Sequence, residues 1–407
     1  MSVEKAQSSL RALAESARAA GRFALDTEFM GEGRYRTQLC LIQLAVADTL
    51  TGTPHRAHPE GHKQAGGGGG ERIEIVAPLT EEVRGGPLAH VLADPDVEVV
   101  VHAGRQDVAL LRRYLGCEAS NVFDTQVAAG FLGLPAQCSY DTLLSETLGV
   151  RVAKSASFTR WDARPLSPEQ LSYAREDVAH LLELAAELRR RLDAAGRLAW
   201  AREECEYLEH VSDDRDLDAI FAKLPRVRGL SLASQTIARE LVEWREETAA
   251  ARDRPVQRVL ADAVLVEIAK RGPDSIAKLE EIRGVGQSSL RRRGEEVLAA
   301  VRRGLERPQE PLQAGLRAPP PEPGDAPMIA LSEALVRARA REAGLAYELL
   351  ASRADLQAIV VGERLGERTD VRTLRGWRRE LVGEELLDLL DGRVSLSVHD
   401  GRLEIGS

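Results

Sequence analysis

The sequence holds only four cysteines in 407 residues, Cys40, Cys117, Cys138 and Cys205. They lie far apart and form no Cys-x-x-Cys pair, which argues against a disulfide framework or a zinc site. Their reading is as small buried hydrophobes in a reducing compartment. Long apolar runs are also missing: none approaches the roughly 18 residues that span a bilayer. The first twenty residues carry Glu4, Lys5, Arg11, Glu15 and Arg18 and no apolar core of a signal peptide. A cytoplasmic location away from membranes is the expectation. Nor is there an excess of positive charge, since the formal net charge is -9. That speaks against a uniformly basic coat for nucleic acid but leaves room for local basic patches.

What is present suffices for real cores: 43% hydrophobic and 29% charged residues, over a length that implies two or three domains. The most telling segment is Asp26-Thr27-Glu28, set in the apolar run from Phe23 to Phe29. Strand side chains alternate with a period of two, so both carboxylates point to one face. Neighbouring carboxylates among apolar residues repel each other and cost desolvation energy. A cation between them resolves both, and hard oxygen ligands suit Mg²⁺ or Mn²⁺.

The pattern along the chain predicts a helix over 3–20 and strands over 22–29, 36–47 and 73–76. The insert 51–70 ends in five glycines and contains His55, His58 and His62. Its composition cannot bury a core, and the histidines read as a solvated hairpin tip rather than metal ligands. Val97–Val101, β-branched but for Glu98, is expected in a strand buried on both faces. Helices are predicted at 104–115, 125–131, 140–148 and 168–191, with a short strand at 121–125 and Pro168 in a first helical turn. Strands alternating with helices indicate an α/β layer. From 229 to 392 the pattern is helical (234–251, 255–271, 274–280 and 287–304, then 328–392). Asp400-Gly401 marks a terminal hairpin.

Asp26 and Glu28 gain weight from two further segments. His102-Ala-Gly-Arg-Gln-Asp107 follows the buried strand and places an acid near its carboxyl end, where α/β folds build sites. Tyr173-Ala-Arg-Glu-Asp177 sets a phenol and a carboxylate four apart on one helix face. A phenol there can aim a water that a metal has acidified. His102 reads as a packing or supporting residue, and Asp124 as a helix cap.

These four acids and the tyrosine, in this order and spacing, resemble the DEDD superfamily of exonucleases, tyrosine subtype. Gln38-x-x-Leu-Ile-Gln43, Phe123-Asp-Thr-Gln126, Lys154 and Arg164 to Ala174 look like the ribonuclease D family. The long insert and Ala77, where an acid is common, depart from the pattern. The resemblance implies a ribonuclease H-like domain over 1–208, a mixed sheet flanked by helices. It implies Asp26, Glu28, Asp107 and Asp177 as ligands of two divalent ions, Mg²⁺ or Mn²⁺, roughly 3.5–4 Å apart, with Tyr173 aiming the attacking water. Lys154 and Arg160 become candidates for contact with the nucleic-acid backbone.

Residues 226–307 resemble an HRDC domain, carried by Leu241–Glu246, Arg252–Leu260, Leu265–Ala269 and Ile282–Gly286. By default Trp244 and the aliphatic stripe are core. In the turn Arg283-Gly284-Val285-Gly286 the glycines let backbone amides approach a phosphate ahead of a helix start. Arg291 and Arg292 follow, and six basic residues stand against two acids between 283 and 303, a candidate backbone-binding patch. Residues 308–327 read as a Pro/Gly-rich linker, and 328–407 as a second HRDC-like helical domain with its small hairpin. The architecture expected is one α/β exonuclease domain and two small all-α domains.

The function this implies is 3′→5′ exoribonuclease action by a monomer on RNA with a free 3′ end, such as tRNA precursors, releasing nucleoside 5′-monophosphates. The rivals are a DNA 3′→5′ exonuclease on the same scaffold and a non-catalytic nucleic-acid-binding module.

Overall fold

The computed structural model describes residues 3–47, 71–79, 84–152, 160–308, 321–367 and 369–406, with backbone alone for 3–7 and 287–292. The insert 51–70 with its histidines lies outside the described residues, as does Lys154. Two compact units are present. One comprises Met1–Glu28, Leu39–Ser212 and Leu316–Ser407; the other comprises Phe29–Gln38 and Asp213–Gly315.

In the first unit α1 (Val3–Ala20) leads into β1 (Arg22–Met30), β2 (Gln38–Ala47) and β3 (Glu71–Val76). Then come α2 (Pro87–Leu92), β4 (Glu98–Val101), α3 (Arg105–Leu115), β5 (Val122–Asp124), α4 (Thr125–Gly130) and α5 (Tyr140–Leu148). The strands form one mixed sheet in the order β3-β2-β1-β4-β5. β2 and β3 pair antiparallel, while β1–β4 and β4–β5 pair parallel. The sheet is buried on both sides. Phe23 and Leu25 pack with α1, α2 and α3 on one face, and Ala24, Ala45 and Val100 pack with α4 and α5 on the other. By strand alternation Asp26 and Glu28 share the face of Ala24.

The helix expected over 168–191 is instead two, α6 (Pro168–Glu176) and α7 (Leu181–Ala194). The chain turns at 177–180, and His180 leaves the helical region at φ -123. Ala174, Val178, Leu181 and Ala185 stay buried across the turn, so the apolar period runs on although the helix does not. Ser167 and Gln170 form a reciprocal capping box with Pro168 in the first turn. α8 (Leu198–Glu209), absent from the sequence-based expectation, closes the layer behind β5.

In the second unit α9 (Leu217–Ala222), α10 (Leu232–Ala251), α11 (Val256–Val259), α12 (Asp262–Arg271), α13 (Ile276–Glu280) and α14 (Gln287–Glu306) enclose a core of Leu241, Trp244, Leu265, Ile268, Ile282 and Val301. The predicted helix 255–271 is split at Leu260, which is extended. Arg245, 1% exposed, fills the break and donates to the Leu260 carbonyl (3.1 Å) and Asp262 Oδ1 (2.5 Å). The β1–β2 connection belongs to this unit: Arg34 pairs with Asp253 at 2.7 Å, and the Tyr35 hydroxyl donates to Glu246 at 3.0 Å.

The remaining helices return to the first unit. These are α15 (Asp325–Ala343), α16 (Tyr347–Leu350), α17 (Arg353–Leu365), α18 (Gly376–Arg378), a π-helical turn (Arg379–Gly383) and α19 (Glu384–Leu390). α15 begins at Asp325, so the last residues of the expected linker are helical. These helices share the core of α4, α5 and α7. Trp377 stacks on Trp200 at 5.1 Å, and the Ala346 N–H donates to the Gly130 carbonyl at 3.0 Å. β6 (Ser395–His399) and β7 (Arg402–Gly406) form the expected hairpin, with Asp400 (φ 49) and Gly401 (φ 73) at its turn. Among the described residues no helix is long and apolar enough to cross a membrane.

Candidate metal centre

β1 delivers two of the acids and the turn after α6 delivers a third. Carboxylate oxygens of Asp26, Glu28 and Asp177 lie within 4.8 Å of one another. Asp177 follows the last residue of α6, and its N–H still bonds to the Tyr173 carbonyl at 3.2 Å. Tyr173 therefore keeps the four-residue spacing that places it beside the acids. Its ring lies 5.9 Å from that of buried Trp161.

The fourth acid is held differently. Asp107 sits in the first turn of α3, 8% exposed, and its Oδ1 accepts from the Thr27 hydroxyl. Thr27 lies between the two β1 ligands and points to the other side of the strand. Asp107 thus stands beside the cluster of three and acts on Asp26 by charge.

Asp124 at the end of β5 explains how α3 is aimed. Its carboxylate accepts from the backbone N–H groups of Ala103 (3.0 Å), Gly104 (2.9 Å), Gln126 (2.8 Å) and Val127 (3.4 Å). It caps α4, as expected, and also pins the turn that starts α3. In that turn Ala103 takes φ 54, and a side chain at Gly104 would come within 2.5 Å of Val101. His102 bonds Thr125 Oγ1 at 2.9 Å, so it supports the turn and makes no part of the acid cluster.

The electrostatics mark the three acids as uncompensated. Burial, then the charges of Asp107, Asp177 and Glu28, pushes Asp26 well above the usual carboxylate range. Burial, then Asp177 and Asp107, pushes Glu28 up to about 8. Asp177 rises to about 7, chiefly by burial, and Asp107 to about 6 for the same reason, restrained by its Thr27 bonds. Burial and the charges of Asp177, Glu28 and Asp26 push the Tyr173 phenol above its ordinary value. Among the described residues no Lys or Arg charge acts on Asp26, Glu28 or Asp177 to lower them, and Asp177 Oδ2 is buried without a hydrogen-bond partner. An all-carboxylate donor set with an orphaned oxygen fits a hard divalent cation.

Arg160 is exposed and pairs with Asp162 at 3.0 Å. Arg283 is exposed in the second unit. Gly284 takes φ +97, and a Cβ there would meet Val264 Cγ2 at 2.7 Å, so the turn itself requires this glycine. Gly286 leads into α14, which carries Arg291 and Arg292, whose side chains lie outside the described residues. Sequence reasoning missed Thr27 because a period-two reading discards the residue between two ligands.

Comparison with known proteins accords with this geometry. Residues 2–193 match the family model described as a 3′-5′ exonuclease, and residues 234–301 match the HRDC domain. The chain is 33% identical over 396 residues to ribonuclease D of Granulibacter bethesdensis, covering 97% of this chain and 93% of that protein. It is 33% identical to ribonuclease D of Gluconacetobacter diazotrophicus over 94% of this chain and 90% of that one. Among solved structures, Escherichia coli RNase D, an exoribonuclease involved in structured RNA processing, superposes with a TM-score of 0.76. That match has 28% identity and covers 95% of this chain and 97% of that chain.

Proposed function

The chain belongs to the ribonuclease D family, and we propose that it removes nucleotides from the 3′ end of RNA as 5′-monophosphates at the Asp26, Glu28, Asp107 and Asp177 site. The observation that carries this reading is the convergence of Asp26, Glu28 and Asp177 oxygens within 4.8 Å. Such a cluster is costly unless cations neutralise it. Asp26, Glu28 and Asp177 would hold Mg²⁺ or Mn²⁺, with Asp107 completing the set from its Thr27 hydrogen bond. When bound, divalent cations supply a water acidified toward neutral pH and offset charge on the phosphate.

The chain's own groups do the rest. The Tyr173 phenol, raised above its ordinary value, stays protonated at neutral pH. It therefore orients a water by hydrogen bonding and is not the base that takes the proton. Trp161 packs beside its ring, 5.9 Å between centroids. Asp124 fixes the start of α3 and with it the position of Asp107. The basic turn Arg283–Gly286 and Arg291, Arg292, together with Lys154 and Arg160, would hold the RNA backbone. The substrates proposed are structured RNAs such as tRNA precursors, and the active form proposed is the monomer.

The test uses RNA labelled at the 3′ or the 5′ end, incubated with Mg²⁺ or Mn²⁺ beside a DNA of matched sequence. Release of labelled 5′-monophosphate from the 3′ end of RNA is expected. A preference for the DNA would move the chain to the rival nuclease reading. No release from either would leave nucleic-acid binding as its activity.

A further inference from the structure

The segment that leads into α6 is folded around one guanidinium. Arg164 Nη1 donates to the carbonyls of Trp161 and Ala163, both at 2.8 Å, and Nη2 donates to the Cys40 carbonyl at 3.0 Å. The first two bonds close the turn 161–164 on itself. The third fastens that turn to β2, 124 residues away in sequence. Cys40 lies outside the β2–β3 register, which starts at Ile42, and there Arg164 supplies a donor. The same turn carries Trp161, 4% exposed, whose ring lies 5.9 Å from that of Tyr173 at an interplanar angle of 34°. That separation is within the range of favourable aromatic pairs. A chain of contacts therefore runs from the sheet through Arg164 and Trp161 to the phenol. The capping box of Ser167 and Gln170 sets how α6 starts but ties it only to residues near it in sequence. Arg175 adds a tie to the Ile73 carbonyl on β3, at 3.5 Å the weak limit of a hydrogen bond.

We propose that Arg164 is a positioning residue for Tyr173: it holds the turn 161–164 on β2 and, through Trp161, sets where the phenol aims the attacking water. This rests on the reading of Tyr173 as the group that orients that water. A guanidinium presents its N–H donors in one rigid plane, so it can hold two carbonyls of a turn and a third on a strand together. A lysine ammonium is a compact donor on a flexible stem and has no such fixed geometry. Because Arg164 is exposed, the competing role is that of a surface cation that meets RNA phosphate, which lysine would serve as well.

The experiment uses the full chain, metal-free, with 3-fluorotyrosine incorporated. It reads the fluorine resonance of Tyr173, identified as the one lost in Tyr173→Phe. Arg164→Met and Arg164→Lys are both expected to shift or broaden that resonance at a temperature well below their melting transitions. In nucleotide release from 3′-labelled RNA with Mn²⁺, kcat should fall about tenfold in both variants, with KM and Mn²⁺ affinity at parental values. Adding Arg164→Met to Tyr173→Phe should cost nothing further, since both changes act on one hydroxyl. Four outcomes overturn the proposal. They are an unmoved Tyr173 resonance in Arg164→Met, a rise in KM that Arg164→Lys repairs, Mn²⁺ affinity that falls in step with rate, or full additivity with Tyr173→Phe. If Tyr173→Phe itself leaves kcat unchanged, the reading of Tyr173 fails and this proposal with it. If Tyr173→Phe slows release while Arg164→Met keeps the parental rate and resonance, only the role of Arg164 fails.

Discussion

Asp124 and Asp177 are buried or half-buried carboxylates in the same unit, each at the end of a secondary-structure element, and the protein treats them in opposite ways. Four backbone N–H groups converge on Asp124. Asp177 has an orphaned oxygen and two acids for neighbours. A satisfied acid is structural: it supplies the acceptors that two helix starts lack. An unsatisfied acid cluster only makes sense with a partner from solution. The contrast separates residues that hold the fold from residues that do the chemistry, although both lie within the same motif-bearing segments.

The contrast breaks most visibly on substitution. Asp26→Asn should lower nucleotide release by roughly 10³-fold or more while the circular dichroism spectrum stays unchanged. The metal-free variant should be at least as stable as the parent above pH 7, since one repelling carboxylate is gone. A near-parental rate would remove Asp26 from the chemistry. Asp124→Ala should behave conversely, costing about 3 kcal/mol of stability in urea unfolding because buried N–H groups lose their acceptor. An unshifted midpoint would show that Asp124 is not the pin described here. Tyr173→Phe should cost activity roughly 10-fold to 100-fold without a change in Mn²⁺ affinity, since the acids remain and only the water is less well aimed. If the rate is untouched, the phenol has no part in the reaction.

Proton linkage gives a smaller effect of definite sign. Glu28 (about 8), Asp177 (about 7) and Asp107 (about 6) all sit above their ordinary values. The folded metal-free chain therefore holds protons that the unfolded chain has released. Its stability is fully present below about pH 4 as far as these groups are concerned, and is lost progressively as pH rises toward 8. Divalent cation should reverse the trend. At pH 8 and a concentration near 100 times its Kd, Mn²⁺ should raise the melting temperature by roughly 5 °C or more, and by less at pH 6, where protons compete. A melting temperature indifferent to Mn²⁺ at pH 8 would count against a metal centre.

Much of the site is legible in the sequence because it depends on local periods. Strand alternation puts Asp26 and Glu28 on one face, and helical spacing keeps Asp177 beside Tyr173 even though α6 ends between them. Less legible is what depends on distant packing. Thr27 holds Asp107 from 80 positions away in the chain, which no local pattern reports. The break between α6 and α7 hides because buried residues keep their phase through the turn. The helices after Asp325 announce an apolar face but not its partner, and the stacking of Trp377 on Trp200 within the exonuclease unit emerges only from the fold.

The most direct measurement is anomalous diffraction from crystals of the full chain soaked in Mn²⁺. The account predicts peaks bounded by carboxylates of Asp26, Glu28 and Asp177, with Asp107 at the margin. Well-diffracting crystals that show these side chains ordered, with no peak among them, would contradict it.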